Sequence, residues 1–236
     1  MNYADFDVLS FDCYGTLIDW ESGLAAALAP LMARAGLALG RDDLLQRFAA
    51  VESAQQAETP DLAYDALLAV SHARLAREWG VAADAGADAR FGASVGDWPA
   101  FPDSAAALAR LKTRFKLVIL SNVDRGSFAK SAAKLGVAFD AVHTAQDIGS
   151  YKPDPRNFRY LLDRIAEWGV PPGRLLHVAQ SLFHDHAPAN ALGLPSVWID
   201  RRAGMPGWGA TTPPPPGTRW DARFETMADF AAAAMG

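Results

Sequence analysis

The stretch VLSFDCYGTLID, residues 8–19, decides the reading of this chain. Val8, Leu9 and Phe11 suit a buried strand, Asp12 places a carboxylate at its end, and Gly15 permits a tight turn. In an α/β protein, ligands bind in the crevice outside the carboxyl ends of the strands. Asp12 is therefore the first candidate for chemistry, with capping of the following helix or turn as its structural alternative.

Working outward, Glu21 to Ala35, Arg41 to Ala57 and Asp61 to Trp79 are expected to be helical, with Pro30 kinking or restarting the first. With the weaker region 82–95 they predict a small helical cap, residues 18–97, inserted after the first strand. Residues 1–17 and 98–236 then form the core. DWPAFPD, residues 97–103, marks the return to that core, since its prolines deny backbone donors. Strands are expected at Phe115 to Leu120, Phe139 to Thr144, Leu175 to Ala179 and Ser196 to Ile199, alternating with helices. This pattern predicts an α/β fold with a Rossmann-like parallel sheet core covered on both faces. Phe224 to Met235 is expected to be a closing helix, and Pro213 to Pro216 an extended surface crossing.

The 236 residues carry 22 Lys and Arg against 27 Asp and Glu, a formal net charge of -5. No basic cluster is interleaved with aromatics, so a nucleic-acid partner is not expected. Cys13 is the single cysteine, which excludes an intrachain disulfide and suits a reducing cytoplasm. Met1 to Asp7 has no basic region before an apolar run, and no apolar stretch approaches the length of a membrane span. The expectation is a soluble cytoplasmic protein without a membrane partner.

Four separated places offer polar groups at similar topological positions: Asp12 with Thr16, Ser121 with Asn122, Lys152, and Gln180 to His186. Parallel strands bring distant carboxyl ends together, and a buried Asp12 needs a positive partner, for which Lys152 is the best candidate. In order and spacing, FDCYGTLID, LSNVD, YKPDP and HVAQSLFHDHAPANALGLPSVWI resemble the haloacid dehalogenase superfamily, specifically the type II (S)-2-haloacid dehalogenases. The resemblance covers nearly the whole chain, cap included.

That resemblance implies Asp12 as a covalent nucleophile that displaces halide from a small halogenated carboxylic acid, water then hydrolysing the aspartyl ester with net inversion at carbon. It implies Thr16 and Ser121 as orienting groups, Asn122 beside the leaving halide, Lys152 as counter-charge and Asp185 as the acid linked to water activation. Arg47, five residues before Glu52, best matches the family's cap arginine, with Arg41 weaker. Phe158 stands where familiar dehalogenases have tyrosine, and Gln180 where serine is expected. Phe183, between the late strand and Asp185, is a candidate apolar wall.

The superfamily's metal-dependent phosphatases are the alternative, and position 14 separates the two. They carry a second Asp there; Tyr14, with a reference pKa of about 10, poorly replaces it. Gln180 and His184 stand where acidic magnesium ligands are usual, so neither metal nor cofactor is expected. A zinc role for His184, Asp185 and His186 is disfavoured, and the histidines are instead expected to support Asp185. His177 reads as a hydrogen-bonded core residue, and Cys13 as a buried one facing away from Asp12. Trp20, Phe48, Phe91 and Trp98 read as packing residues before cap-lining ones. One glycine after the first strand does not cradle a dinucleotide. A diverged, inactive binding protein is the non-enzymatic alternative, and a homodimer is plausible.

Overall fold

Four consecutive buried residues, Val8–Phe11, form β1, and the rest of the sheet is laid down on both sides of it. The computed structural model describes residues 1–236. Five further strands are β2 (Lys116–Ser121), β3 (Ala141–Thr144), β4 (Leu175–Ala179), β5 (Ser196–Ile199) and β6 (Ala222–Phe224). Their order is β3-β2-β1-β4-β5-β6, and every pairing is parallel. Phe11 is in register with Ile119 of β2 and Val178 of β4, so the chain leaves three neighbouring strands at one edge. The strand order reverses at β1, and a crevice opens there.

Alternation along β1 divides the core in two. Leu9 and Phe11 join Leu117, Ile119, Leu176 and Val178 on one face, packed with α5 (Ser104–Lys112), α6 (Arg125–Leu135) and α10 (Met227–Met235). Val8 joins Val118, Leu120 and Leu175 on the other, under Phe158, Leu161 and Ile165 of α8 (Pro155–Ala166). Covering both faces is what makes these strands almost wholly apolar. The short α7 (Ala145–Ile148) and α9 (Ala187–Ala191) complete the core helices.

Between β1 and α5 come α1 (Trp20–Ala35), α2 (Arg41–Glu58), α3 (Tyr64–Glu78) and α4 (Ala85–Ala93), the helical cap inserted after the first strand. Asp19 caps α1 by accepting from Ser22 N at 3.1 Å, and Gly36 ends it in the left-handed conformation. Pro30 does not restart the helix: α1 runs through it. Pro30 and Ala26, whose carbonyl loses its helical donor, are both exposed, on the solvent side of the helix. The weaker region 82–95 contains α4, capped by Asp84, which accepts from Ala87 N.

The tail departs from expectation in a second place. Phe224 ends a three-residue strand, β6, instead of beginning a helix, and α10 starts at Met227 behind a Thr226 cap. Arg223 binds the Asp200 carboxylate beside β5, a polar middle residue that hides so short a strand from an apolar pattern. No helix is long and apolar enough to cross a membrane.

Candidate active site

Asp12 follows directly on β1, and its N–H still donates to Val178 O at 3.2 Å, so sheet pairing holds the residue beyond the strand's end. The Thr16 hydroxyl donates to one carboxylate oxygen of Asp12 at 2.8 Å and accepts from Gln180 N at 2.9 Å. Its single proton is therefore committed to Asp12. Gly15 makes the turn between them at φ +94°, and a side chain there would meet Trp20 and Gln180 near 3 Å.

Lys152 Nζ donates to the other Asp12 oxygen at 2.9 Å, to Leu120 O at 2.9 Å and to Asp185 at 2.6 Å. All three of its protons are used, and the residue is 1% exposed. Asn122, just past β2, clamps the same residue through its backbone, accepting from Lys152 N at 2.7 Å and donating to Lys152 O at 2.9 Å. One Asp185 oxygen also receives His177 Nε2 at 2.9 Å, while the Ser10 hydroxyl hydrogen-bonds His177 Nδ1 at 2.8 Å. The second Asp185 oxygen is buried without a partner, as is the Ser121 hydroxyl.

These environments push the carboxyls apart. Burial raises the Asp12 carboxyl above its ordinary value, with Lys152 opposing. Burial works in the same sense on Asp185, but Lys152 and His177 outweigh it and hold that carboxyl far below the usual range. Burial alone would lower Lys152; the two carboxylates reverse this and keep it an ammonium. The result is a desolvated carboxylate, Asp12, and a permanently ionised one, Asp185, bridged by a single cation.

Asp12, Ser121, Asn122, Lys152, Gln180 and Asp185 all face one cavity of about 40 Å³, room for roughly two or three waters or a few heavy atoms. Tyr14 lines it too, its phenol bonded to Ser131 at 3.0 Å and its ring edge-on to Trp98. His184 closes one side, its Nδ1 paired with the Ser181 hydroxyl, and burial pulls its pKa down to about 4. The cap supplies Trp20, Glu52, Gln56 and Tyr64. Tyr64 donates to Glu52 at 2.6 Å, and burial pushes the Glu52 carboxyl up to about 7.

Four expected residues lie elsewhere. Arg47 is exposed, makes no hydrogen bond and does not line the cavity, because α2 turns Leu44, Leu45, Phe48 and Glu52 inward. Arg41 is exposed as well, bonded to Ser22. Phe158 is fully buried beneath the site, edge-on to His177 at 4.9 Å between ring centres. Phe183 faces a neighbouring groove beside Tyr151 and Arg156. Support of Asp185 comes from His177, not from its sequence neighbours: His186 bonds the Ser196 hydroxyl and Ala179 O. Cys13 is buried in the apolar core, as are Phe48, Phe91 and Trp98. Sequence reasoning missed Glu52 and Tyr64, for which only the helical spacing of α2 and α3 carried a signal.

The donor set does not fit magnesium. The Lys152 ammonium stands between the two carboxylates, Tyr14 and Gln180 supply no acid, and no group of three potential ligand side chains converges.

The family profile of haloacid dehalogenase-like hydrolases matches residues 6–189. The chain belongs to that family and is an enzyme of its general class, a haloacid dehalogenase-like hydrolase. An (S)-2-haloacid dehalogenase from Burkholderia cepacia is 34% identical over 110 residues, 45% of this chain and 46% of the relative. A haloacid dehalogenase-like hydrolase domain-containing protein of Mus musculus is 37% identical over 90 residues, 37% and 34% of the two chains. The aligned part thus spans less than half the length of the curated relatives it matches. Among solved structures, an L-2-haloacid dehalogenase superposes with TM-score 0.78 at 26% identity, covering 97% of this chain and 99% of the other. A defluorinating L-2-haloacid dehalogenase shares the fold with TM-score 0.80 at 24% identity, covering 98% and 96%.

Proposed function

We propose that this enzyme hydrolyses small 2-haloacids to 2-hydroxyacids through a covalent ester on Asp12. The observation that carries the reading is Asp12 and Asp185 bound to one Lys152 at the wall of a small cavity of about 40 Å³. Asp12 attacks the halogen-bearing carbon in line, and the carbon–halogen electron pair leaves as halide. Ser121, with its hydroxyl free, and the backbone N–H groups of Cys13 and Tyr14, which find no protein acceptor, are the donors available to the substrate carboxylate. The unpartnered oxygen of Asp185 orients a water toward the ester carbonyl. Addition of that water and cleavage of the ester bond release hydroxyacid and a proton and regenerate Asp12, with inversion at carbon. The Burkholderia relative's name supports the (S) preference.

A single turnover in heavy-oxygen water tests this reading. The first product should carry ordinary oxygen while the peptide containing Asp12 gains one heavy oxygen, and Asp12→Asn should abolish halide release without unfolding the chain. A panel of chloro-, bromo- and fluoroacids with both enantiomers of 2-chloropropionate defines the range. Halide release without label in the Asp12 peptide would rule out the ester, and no release at all would favour a diverged binding protein.

A further inference from the structure

The cavity holds three carboxyl groups, Asp12, Asp185 and Glu52, against one cation. That cation, Lys152, has no proton left to give. No arginine faces the space: Arg47 is exposed, and Arg41 points to Ser22. Asp12 and Lys152 offset one another, and Asp185 leaves one negative charge. An anionic substrate adds a second, and an ionised Glu52 would add a third with nothing to answer it.

We propose that Glu52 determines the charge of the substrate this site accepts: its protonated carboxyl admits a small carboxylate, and its ionised form excludes it. The inference rests on a carboxylate being the substrate anion, but not on the chemistry at Asp12. Glu52 comes from the middle of α2, is buried, and its one hydrogen-bond partner is the Tyr64 hydroxyl of α3. Gln56, one turn further along α2, is neutral and lines the same wall. Tyr151 of the loop before α8 lies beside Tyr64, with 6.4 Å between ring centres. Across the cavity stand Asp12 and Tyr14 after β1, Lys152, and then His184 and Asp185 after β4. Asp124, the cap of α6, acts electrostatically on both Tyr14 and Tyr151.

Around neutral pH most of these groups keep one charge. Tyr14, Tyr64 and Tyr151 are pushed up by burial and stay neutral, and His184, near 4, is neutral too. Lys152 stays charged and Asp185 stays ionised. Glu52, near 7, is a lining group placed to change charge in that range.

Binding of propionate, which has no halogen to lose, tests this on the intact protein between pH 6 and 9, with propionamide as the uncharged control. By calorimetry or ligand-observed NMR, the propionate Kd of the unaltered chain should rise above pH 7, approaching tenfold per pH unit as one proton is lost, while that of propionamide stays level. Glu52→Gln should remove the rise. Tyr64→Phe, which deletes the hydrogen bond favouring the carboxylate, should move its onset to higher pH, an effect that simple loss of packing does not produce. An unchanged rise in Glu52→Gln, a parallel rise for propionamide, or no propionate binding at any pH would overturn the proposal. Propionate binding that follows Glu52 while no haloacid releases halide would leave it standing and remove the dehalogenation reading alone.

Discussion

Glu52 shows how one carboxyl couples ligand choice to stability. In the unfolded chain it releases its proton near the ordinary value of about 4.3; folded, it does so at about 7, because burial penalises the ion. Between those values the folded state binds more protons than the unfolded one, so this residue lowers stability as pH rises. The loss begins near pH 4 and is complete a little above 7. A gap of roughly two to three pH units corresponds to about 3 kcal/mol. Glu52→Gln lacks the penalty, so its urea midpoint should pull away from that of the unaltered chain as pH is raised from 4 to 8. Parallel midpoints across that range would show that Glu52 ionises normally in the fold. Asp185 works with the opposite sign: its depressed value adds stability at neutral pH that is lost only as acid takes the pH below the usual carboxylate range.

At the scale of elements, the site is assembled where β1, β2 and β4 end side by side, and Asn122 ties the β2 edge to the loop carrying Lys152. Asn122→Ala removes both bonds to the Lys152 backbone and leaves a part-buried N–H unpaired, a cost of about 1–3 kcal/mol. The expected outcome is a lower urea midpoint and a fall in kcat larger than any change in KM, with Asn122→Asp recovering part of the midpoint by accepting again from Lys152 N. An Ala variant with the native midpoint would mean that Lys152 is held by its side-chain contacts alone. These strand ends were legible in the sequence because parallel pairing forces polar residues after apolar runs into one crevice, and Asp12, Thr16, Ser121, Asn122, Lys152 and Asp185 all lie there. The cap was legible as helices but not as a lining. The inward face of α2 mixes Leu44, Leu45 and Phe48 with Glu52 and Gln55, so polarity does not mark which side faces the cavity, and a five-residue spacing placed Arg47 there when Glu52 takes the position. His177 read correctly as a bonded core residue, yet its partner Asp185 comes from the turn beyond β4, a pairing that strand periodicity does not encode.

Across the whole molecule, the cap and the core meet around Arg202, which follows β5 and reaches back into the cap. Its guanidinium donates to Glu21 of α1 at 2.6 Å and Asp42 of α2 at 2.9 Å, and Glu21 in turn accepts from Ala210 N at 3.1 Å. Gly209 makes this approach possible: a side chain there would overlap the Glu21 carboxylate. One cation thus fixes two cap helices and the 202–210 loop against the sheet. Arg202→Met keeps most of the apolar stem but leaves Glu21, 8% exposed, with a single donor. The expected cost is about 2 kcal/mol, below that of a fully buried pair because Asp42 is partly solvated. Asp12, Lys152 and Asp185 all belong to the core, so their geometry should survive the change, whereas the wall carrying Trp20, Glu52 and Tyr64 is released. Amide exchange should therefore quicken in α1 and α2 while β1 and β4 stay protected, and KM should rise several-fold with kcat nearly unchanged. Equal loss of protection in cap and sheet would mean that the two unfold as one unit and that Arg202 is a general stabiliser instead of a clasp.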